Sequence, residues 1–161
     1  MQEIKYIKPA ALRKEMTRLR NERKMDFLES LTGMDWGEPT EGDAPDAIRG
    51  LGVVYHLEST TTGERITIKT STLNRENPEI PSVCDLWKAA EMNEREVYDF
   101  FGIVFSGHPD MRRLFLGNDW IGYPLRKDND PEKDNPLCMT NEDTIDTTTE
   151  IELNPDGTIK N

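Results

Sequence analysis

LGVVYHLESTTTGERITIKTST, residues 51–72, bears most directly on the fold. Its first nine residues are rich in β-branched and aromatic side chains, which suit a pleated, half-buried surface. In RITIKTST, residues 65–72, Ile66 and Ile68 alternate with polar neighbours, the period-two pattern of a strand with one buried face. TTTGE between the two runs has turn composition, so the unit reads as an antiparallel hairpin. Gly50 and Gly52 flank Leu51, but no third glycine and no helix follows, which makes a very weak match to a dinucleotide-binding loop.

Upstream, MDFLESLTGMDW (25–36) reads as a further strand and GEPTEGDAPD (37–46) as a turn-rich acidic loop. PAALRKEMTRLRNER (9–23) reads as a helix. Pro9 suits its first turn, and Ala11, Leu12, Met16 and Leu19 form a narrow apolar stripe between basic faces. The expected role is a solvated surface helix, with docking to something acidic as the functional alternative.

Downstream, NRENPEIPSV is a connector, and Ser82 or Asp85 is placed to cap a short helix over VCDLWKAA. Asn93 and Glu96 resemble a capping box opening a helix over EREVYDFF, with Val97, Phe100 and Phe101 toward the core and Gly102 as the C-cap. IVF is then extended, SGHPD is a tight turn, and LFLGNDWIGYPLRKD (114–128) is loop-like. From residue 129 the chain is acidic and poor in large apolar residues, the composition of an extended tail, with IELNPDGTIK (151–160) as a small hairpin inside it. Three parts follow: a basic helix over 1–24, a domain over 25–128 and an acidic tail over 129–161.

The 161 residues suffice for one domain with a real core. Only 35% are hydrophobic and 32% are charged, so either part of the chain lies outside the core or part of the core is completed by a neighbouring polypeptide. The net charge of −11 argues against a nucleic-acid partner, which calls for a broad basic face. The charge is uneven: residues 1–24 carry eight Lys/Arg against three Asp/Glu. Cys84 and Cys138 stand far apart without a CxxC, which suits a reducing compartment and is too few for an iron–sulfur cluster. No apolar leader opens the chain and no run approaches the ~20 apolar residues of a membrane span, so the expectation is a soluble or peripheral, cytoplasmic protein.

Chemistry-bearing residues concentrate in 94–128. Glu94, Glu96 and Asp99 share one predicted helix; such carboxylates do acid–base work when one pKa is raised, and otherwise form a solvated or salt-bridged face. Arg95 and Asp99 stand i, i+4 and can pair across a turn. His108, before Pro109, suits either a base or proton carrier, working with Asp99 or Asp110, or a side chain that fixes the loop. The Arg112–Arg113 and Arg126–Lys127 pairs flank Trp120 and Tyr123, a combination typical of interface hot spots. No serine or cysteine carries a nucleophile signature.

EREVYDFFGIVFSGHPDMRR (94–113), followed by Asp119–Trp120 and GYPLRKD (122–128), closely resembles the C subunit of NADH-quinone oxidoreductase, respiratory complex I. DFLESLTGMDW, VVYHLES, RITIKT and IPSVCDLWKAAEMN follow the family's order, so the resemblance covers roughly residues 25–128. It implies an α+β domain, a small mostly antiparallel sheet covered by helices, with an extended C-terminal arm along the D subunit. The resemblance further implies no catalysis by this chain alone and no cofactor bound by it, the iron–sulfur clusters and quinone residing in partner subunits. The D subunit is the main expected partner, with the B and I subunits beside it, on the cytoplasmic face and touching the membrane only through partners. It implies subunit-interface roles for Glu94, Arg95, Glu96, Tyr98, Asp99, His108, Arg112, Arg113, Trp120, Tyr123, Arg126, Lys127 and Asp128. Gly102, Gly107, Pro109, Gly122 and Pro124 shape the turns. The equivalent subunit of a membrane-bound hydrogenase-type complex is the alternative within the superfamily, and a stand-alone acid–base enzyme using His108 the alternative outside it. The basic helix and the tail beyond about 135 match no family signature.

Overall fold

The computed structural model describes residues 3–40, 47–117 and 119–130. Through them the chain runs β1 (Glu3–Tyr6), α1 (Pro9–Asn21), β2 (Phe27–Asp35), β3 (Leu51–Glu58), β4 (Arg65–Thr72), β5 (Glu79–Pro81), α2 (Ala90–Phe101) and β6 (Val104–Ser106). The hairpin forms as its period predicts. β3 and β4 pair antiparallel with Tyr55 opposite Ile68 and Leu57 opposite Ile66, so both apolar sets lie on one face. β2 pairs antiparallel with β3, and β1 pairs parallel with β4, giving the order β1-β4-β3-β2. On β2 the buried leucines Leu28 and Leu31 are three apart rather than two. An irregularity in the pairing between Leu28 and Ser30 absorbs the extra residue and keeps both on the core face. β5 and β6 form a separate two-stranded parallel pair.

Both helices pack toward the sheet's buried face. α1 sends its stripe, Leu12, Met16 and Leu19, into the same core as Val53, Tyr55, Leu57, Ile66 and Ile68. α2 lies against β2. Its closest approach is at Gly33, where a Cβ would meet the Phe101 ring at 2.4 Å and Val97 at 3.1 Å. A glycine in mid-strand costs entropy, and here it provides the space for the helix. An α+β architecture of this kind is what the sequence and its resemblance imply.

Several local expectations are corrected. Charge and composition set residues 1–24 apart, yet β1 is an edge strand of the sheet and α1 is a core helix, and one compact unit runs as far as Asn129. VCDLWKAA forms turns rather than a helix, with the Val83 carbonyl accepting from the N–H groups of both Leu86 and Trp87. Trp87 is drawn inward, where its indole N–H donates to the Met25 carbonyl at 3.0 Å. Neither Ser82 nor Asp85 serves as a cap: Ser82 bonds to Glu94, and Asp85 pairs with Arg13. α2 begins at Ala90, which puts Asn93 inside the helix and removes the capping box. The carbonyls of Trp87 and Lys88 receive the N–H groups of Ala90 and Glu91, so the preceding turn satisfies these early donors without a side chain. Val97 and Phe101 face the sheet as expected, but Phe100 turns the other way and stacks on Phe115. Gly102 ends α2 as expected, left-handed at φ +70° with its N–H on the Tyr98 carbonyl. The rest of the acidic loop at 41–46, the tail from 131 and its predicted hairpin lie outside the described residues.

Candidate functional site: the loop around the end of α2

Residues 107–117 and 119–128 wrap α2 with almost no regular structure, so their backbone polar groups need partners from side chains. Asp99 supplies the first anchor. It is fully buried, and its Oδ2 accepts the N–H groups of Leu114 (3.0 Å), Phe115 (2.7 Å) and Leu116 (3.0 Å). Its Oδ1 accepts from Arg113 at 3.0 Å. Burial alone would push this carboxyl up; the three backbone donors and the guanidinium outweigh it and hold the group below its ordinary value. The terminal nitrogens of Arg113 also donate to the carbonyls of Asp99 (3.2 Å), Gly122 (3.1 Å) and Trp120 (3.4 Å). The i, i+4 pairing of Arg95 with Asp99 does not form. Arg95 instead donates to the carbonyls of Arg112 (3.2 Å) and Arg113 (3.1 Å).

The second anchor closes the far end of the loop. Arg126 donates to the carbonyls of Phe101 (2.6 Å) and Arg75 (3.0 Å), and its guanidinium lies 4.7 Å from the Tyr123 ring centroid. Burial lowers its pKa from the usual arginine value. Arg113 sits 5.2 Å from the same ring, so Tyr123 contacts both cations, and Tyr98 meets its edge at 6.3 Å. Gly102 makes this closure possible twice over: its φ is positive, and a Cβ there would lie 2.4 Å from the Tyr123 ring.

Asp35 at the end of β2 and Arg75, neither of them marked by any sequence pattern, together form the third anchor. Asp35 accepts from both terminal nitrogens of Arg75 (3.0 and 2.7 Å) and from the N–H groups of Gly37 (2.8 Å) and Lys127 (2.9 Å). Its side chain is 2% exposed and that of Arg75 is 13% exposed, so the pair is a buried one. Burial opposes ionisation of Asp35, yet Arg75 and the two N–H groups prevail and keep it far below the usual carboxylate range. Asp128 adds a second acceptor to Arg75 at 3.0 Å. Nothing in the run GMDWGEP marks Asp35 beforehand, because its partners stand 40 and 92 positions away.

His108 also turns inward. Its Nδ1 accepts the N–H of Asp110 at 3.0 Å, and its Nε2 lies 2.9 Å from the Glu91 carbonyl. A carbonyl cannot donate and a backbone N–H cannot accept, so this geometry belongs to the neutral ring protonated on Nε2. Nδ1 closes the turn of Gly107 and Pro109 on itself, and Nε2 ties that turn to α2. The Asp110 carboxylate goes to Arg112 instead (2.9 Å), and no hydrogen bond joins His108 to Asp99. The acid–base reading therefore has no constellation behind it. Glu94 is a buried carboxylate of another kind, accepting from the Ser82 hydroxyl (2.6 Å) and the Val83 N–H (2.7 Å), with burial pushing its pKa up.

Of the expected interface residues, Arg95, Arg113, Arg126, Asp99, Glu94 and His108 are thus committed within the chain. Glu96, Arg112, Lys127 and Asp128 keep exposed side chains, and Trp120 is half-buried. Three exposed side chains that no sequence pattern brings forward are large and apolar: Phe115 (64% exposed), Ile121 (62%) and Leu125 (55%). Among the described residues no group of three or more His, Cys, Asp or Glu is placed to hold a metal, and no helix is long and apolar enough to cross a membrane.

Residues 5–135 match the family model described as respiratory-chain NADH dehydrogenase, 30 kDa subunit. A curated relative from Bacteroides fragilis, the C/D subunit of NADH-quinone oxidoreductase, is 77% identical over 98% of this chain. The chain spans 30% of that relative's length. Among solved structures, a trypsin-resistant fragment of Nqo5 superposes with a TM-score of 0.56 at 34% identity, covering 66% of this chain and 80% of the fragment. A chain of an archaeal respiratory membrane complex, the membrane-bound sulfane sulfur reductase, superposes with a TM-score of 0.61 at 27% identity, covering 81% of this chain and 73% of its own.

Proposed function

Because this chain belongs to the respiratory-chain NADH dehydrogenase 30 kDa subunit family, we propose that it is a non-catalytic, peripheral-arm part of a complex I-type NADH-quinone oxidoreductase. In this role it docks on the D-type subunit near the quinone site, with B- and I-type subunits as neighbours, on the cytoplasmic side of the membrane. Iron–sulfur clusters and quinone belong to the partners, and this chain supplies a rigid body that positions them and supports assembly. The observation that carries the proposal is the family match through residues 5–135, which includes the whole anchored loop. The site's chemistry is compatible with this role, since Asp99, Arg113, Arg126 and Asp35 are largely spent on the loop's own backbone carbonyls and N–H groups.

The test is recovery of a tagged chain from membranes solubilised in mild detergent. D- and B-type polypeptides should co-purify with it; a free monomer with neither would overturn the proposal. The likeness to a chain of the sulfane sulfur reductase complex favours a second reading, a subunit of a related respiratory complex with another electron donor or acceptor, such as a hydrogenase-type one. Its much lower identity, 27% against 77%, ranks it second. Nickel-binding cysteines in the co-purifying catalytic polypeptide would promote it.

A further inference from the structure

We infer that the docking partner contacts the apolar side chains of the loop, Phe115, Ile121 and Leu125, and that the conspicuous arginines beside them are internal scaffolding. This deepens the docking role proposed above and rests on it. The three side chains are 64%, 62% and 55% exposed. Scattered apolar residues on a surface need no explanation, but here the three stand on one irregular loop, and the backbone beside each of them is fixed by a hydrogen bond. The Phe115 N–H is fixed on Asp99. The carbonyls flanking Ile121, those of Trp120 and Gly122, are both fixed on Arg113. The Leu125 N–H is fixed on the Phe100 carbonyl at 3.1 Å. For the loop backbone to change course at these positions, bonds to buried or half-buried groups would have to break. The loop is therefore preorganised, which removes the ordering cost that a partner would otherwise meet on binding.

The arginines are unsuited to the recognition role. Arg113, Arg126 and Arg95 donate to carbonyls of their own chain, and redirecting one outward would leave those acceptors bare. A desolvated centre of aromatic and aliphatic side chains with charges at the rim is the usual layout of an interface. Exposed Arg112 and Lys127 can form such a rim. The occupant to which this surface is assigned is the D-type polypeptide. In the Bacteroides relative C and D form one chain, of which the present chain corresponds to 30%.

The test co-produces the 161-residue chain with the D-type portion of the Bacteroides fragilis relative as separate polypeptides and measures retention of that portion on the tagged chain. Phe115 is left intact because it stacks on Phe100 at 5.6 Å and its loss would confound folding with docking. Ile121→Ser with Leu125→Ser should reduce retention about tenfold or more, the scale of losing a hot spot. The melting temperature of the tagged chain should stay within about 2 °C of the parent, as for surface substitutions. Arg126→Lys should do the reverse, lowering the melt while retention measured well below it is unchanged. Undiminished retention by the double serine variant overturns the inference and leaves the docking role standing. A melt that falls along with retention also overturns it, since the side chains would then serve the fold. If the unaltered chain retains none of the D-type portion, the docking role itself fails, and the inference with it.

Discussion

Asp99→Asn is a change of one atom in size and a large one in chemistry. The carboxylate accepts four hydrogen bonds, three from consecutive backbone N–H groups and one from a guanidinium, and it is fully buried. An amide in its place has one oxygen and one NH2. If the oxygen faces the three N–H groups, the NH2 confronts Arg113, donor against donor. If it faces Arg113, the NH2 confronts the backbone donors. In both orientations Arg113, with a side chain 16% exposed, loses its counter-charge. Breaking a buried ion pair by removing one partner costs about 3–5 kcal/mol. For a domain of this size that corresponds to a fall of roughly 6–20 °C in melting temperature at pH 7. The pH dependence carries the sign. Asp99 is held below its ordinary value in the fold, so its stabilisation is present above the unfolded carboxylate pKa of about 3.9 and is lost as pH falls through the folded value. The gap between parent and Asn variant should accordingly be widest near neutrality and close below about pH 4. Differential scanning calorimetry across pH measures both. A variant that melts within about 2 °C of the parent at pH 7 would refute the idea that Asp99 organises the loop.

Glu94→Gln should behave oppositely. Burial raises this carboxyl above its ordinary value, against the Ser82 and Val83 bonds, so the charged form is disfavoured in the fold and the parent is relatively most stable in acid. The amide keeps both contacts, its oxygen on the Val83 N–H and its NH2 on the Ser82 hydroxyl. It should therefore melt at or slightly above the parent at pH 8, with the advantage fading toward pH 4; a clear loss at pH 8 would contradict this. Gly33→Ala places a Cβ 2.4 Å from the Phe101 ring and should cost about 1–3 kcal/mol as overpacking, read as a lower urea midpoint with an unchanged slope. A midpoint equal to the parent's would mean that α2 can shift freely on the sheet.

What could be read in the sequence follows from which interactions are local. The β3–β4 hairpin was legible because its apolar alternation and its turn lie within one short stretch. Gly102 was legible because a glycine after the last helical apolar residue has one conformational use. β1 was not: in EIKY the alternation of Ile4 and Tyr6 with charged residues spans only four positions, and the segment becomes a strand by parallel pairing with β4, some sixty positions later. The start of α2 was misplaced because its first donors are met by carbonyls of the preceding turn, and a backbone cap leaves no residue signature. Asp35 was invisible for the reason β1 was, its partners being remote. The family pattern in 94–128 identified the chain, but it did not show that Arg95, Arg113 and Arg126 bond to the loop's own carbonyls, because those partners are set by the tertiary path of the loop.

That use of charged side chains has a physical cause that extends beyond this loop. A segment without helix or strand still carries one N–H and one C=O per residue, and those away from water need partners. Arginine suits the carbonyls better than any other side chain: five donors in a rigid fork, permanently charged, on a stem long enough to cross a loop. Here Arg95, Arg113 and Arg126 together serve the carbonyls of Asp99, Phe101, Arg112, Arg113, Trp120, Gly122 and Arg75. Asp99 and Asp35 do the converse for the N–H groups of Leu114, Phe115, Leu116, Gly37 and Lys127. The density of opposite charges in 94–128 is therefore what an irregular but rigid loop requires, whether or not it meets a partner. The same scaffold carries Phe115, Ile121 and Leu125 with more than half of each exposed, and burying that apolar surface is what a neighbouring polypeptide would gain from it.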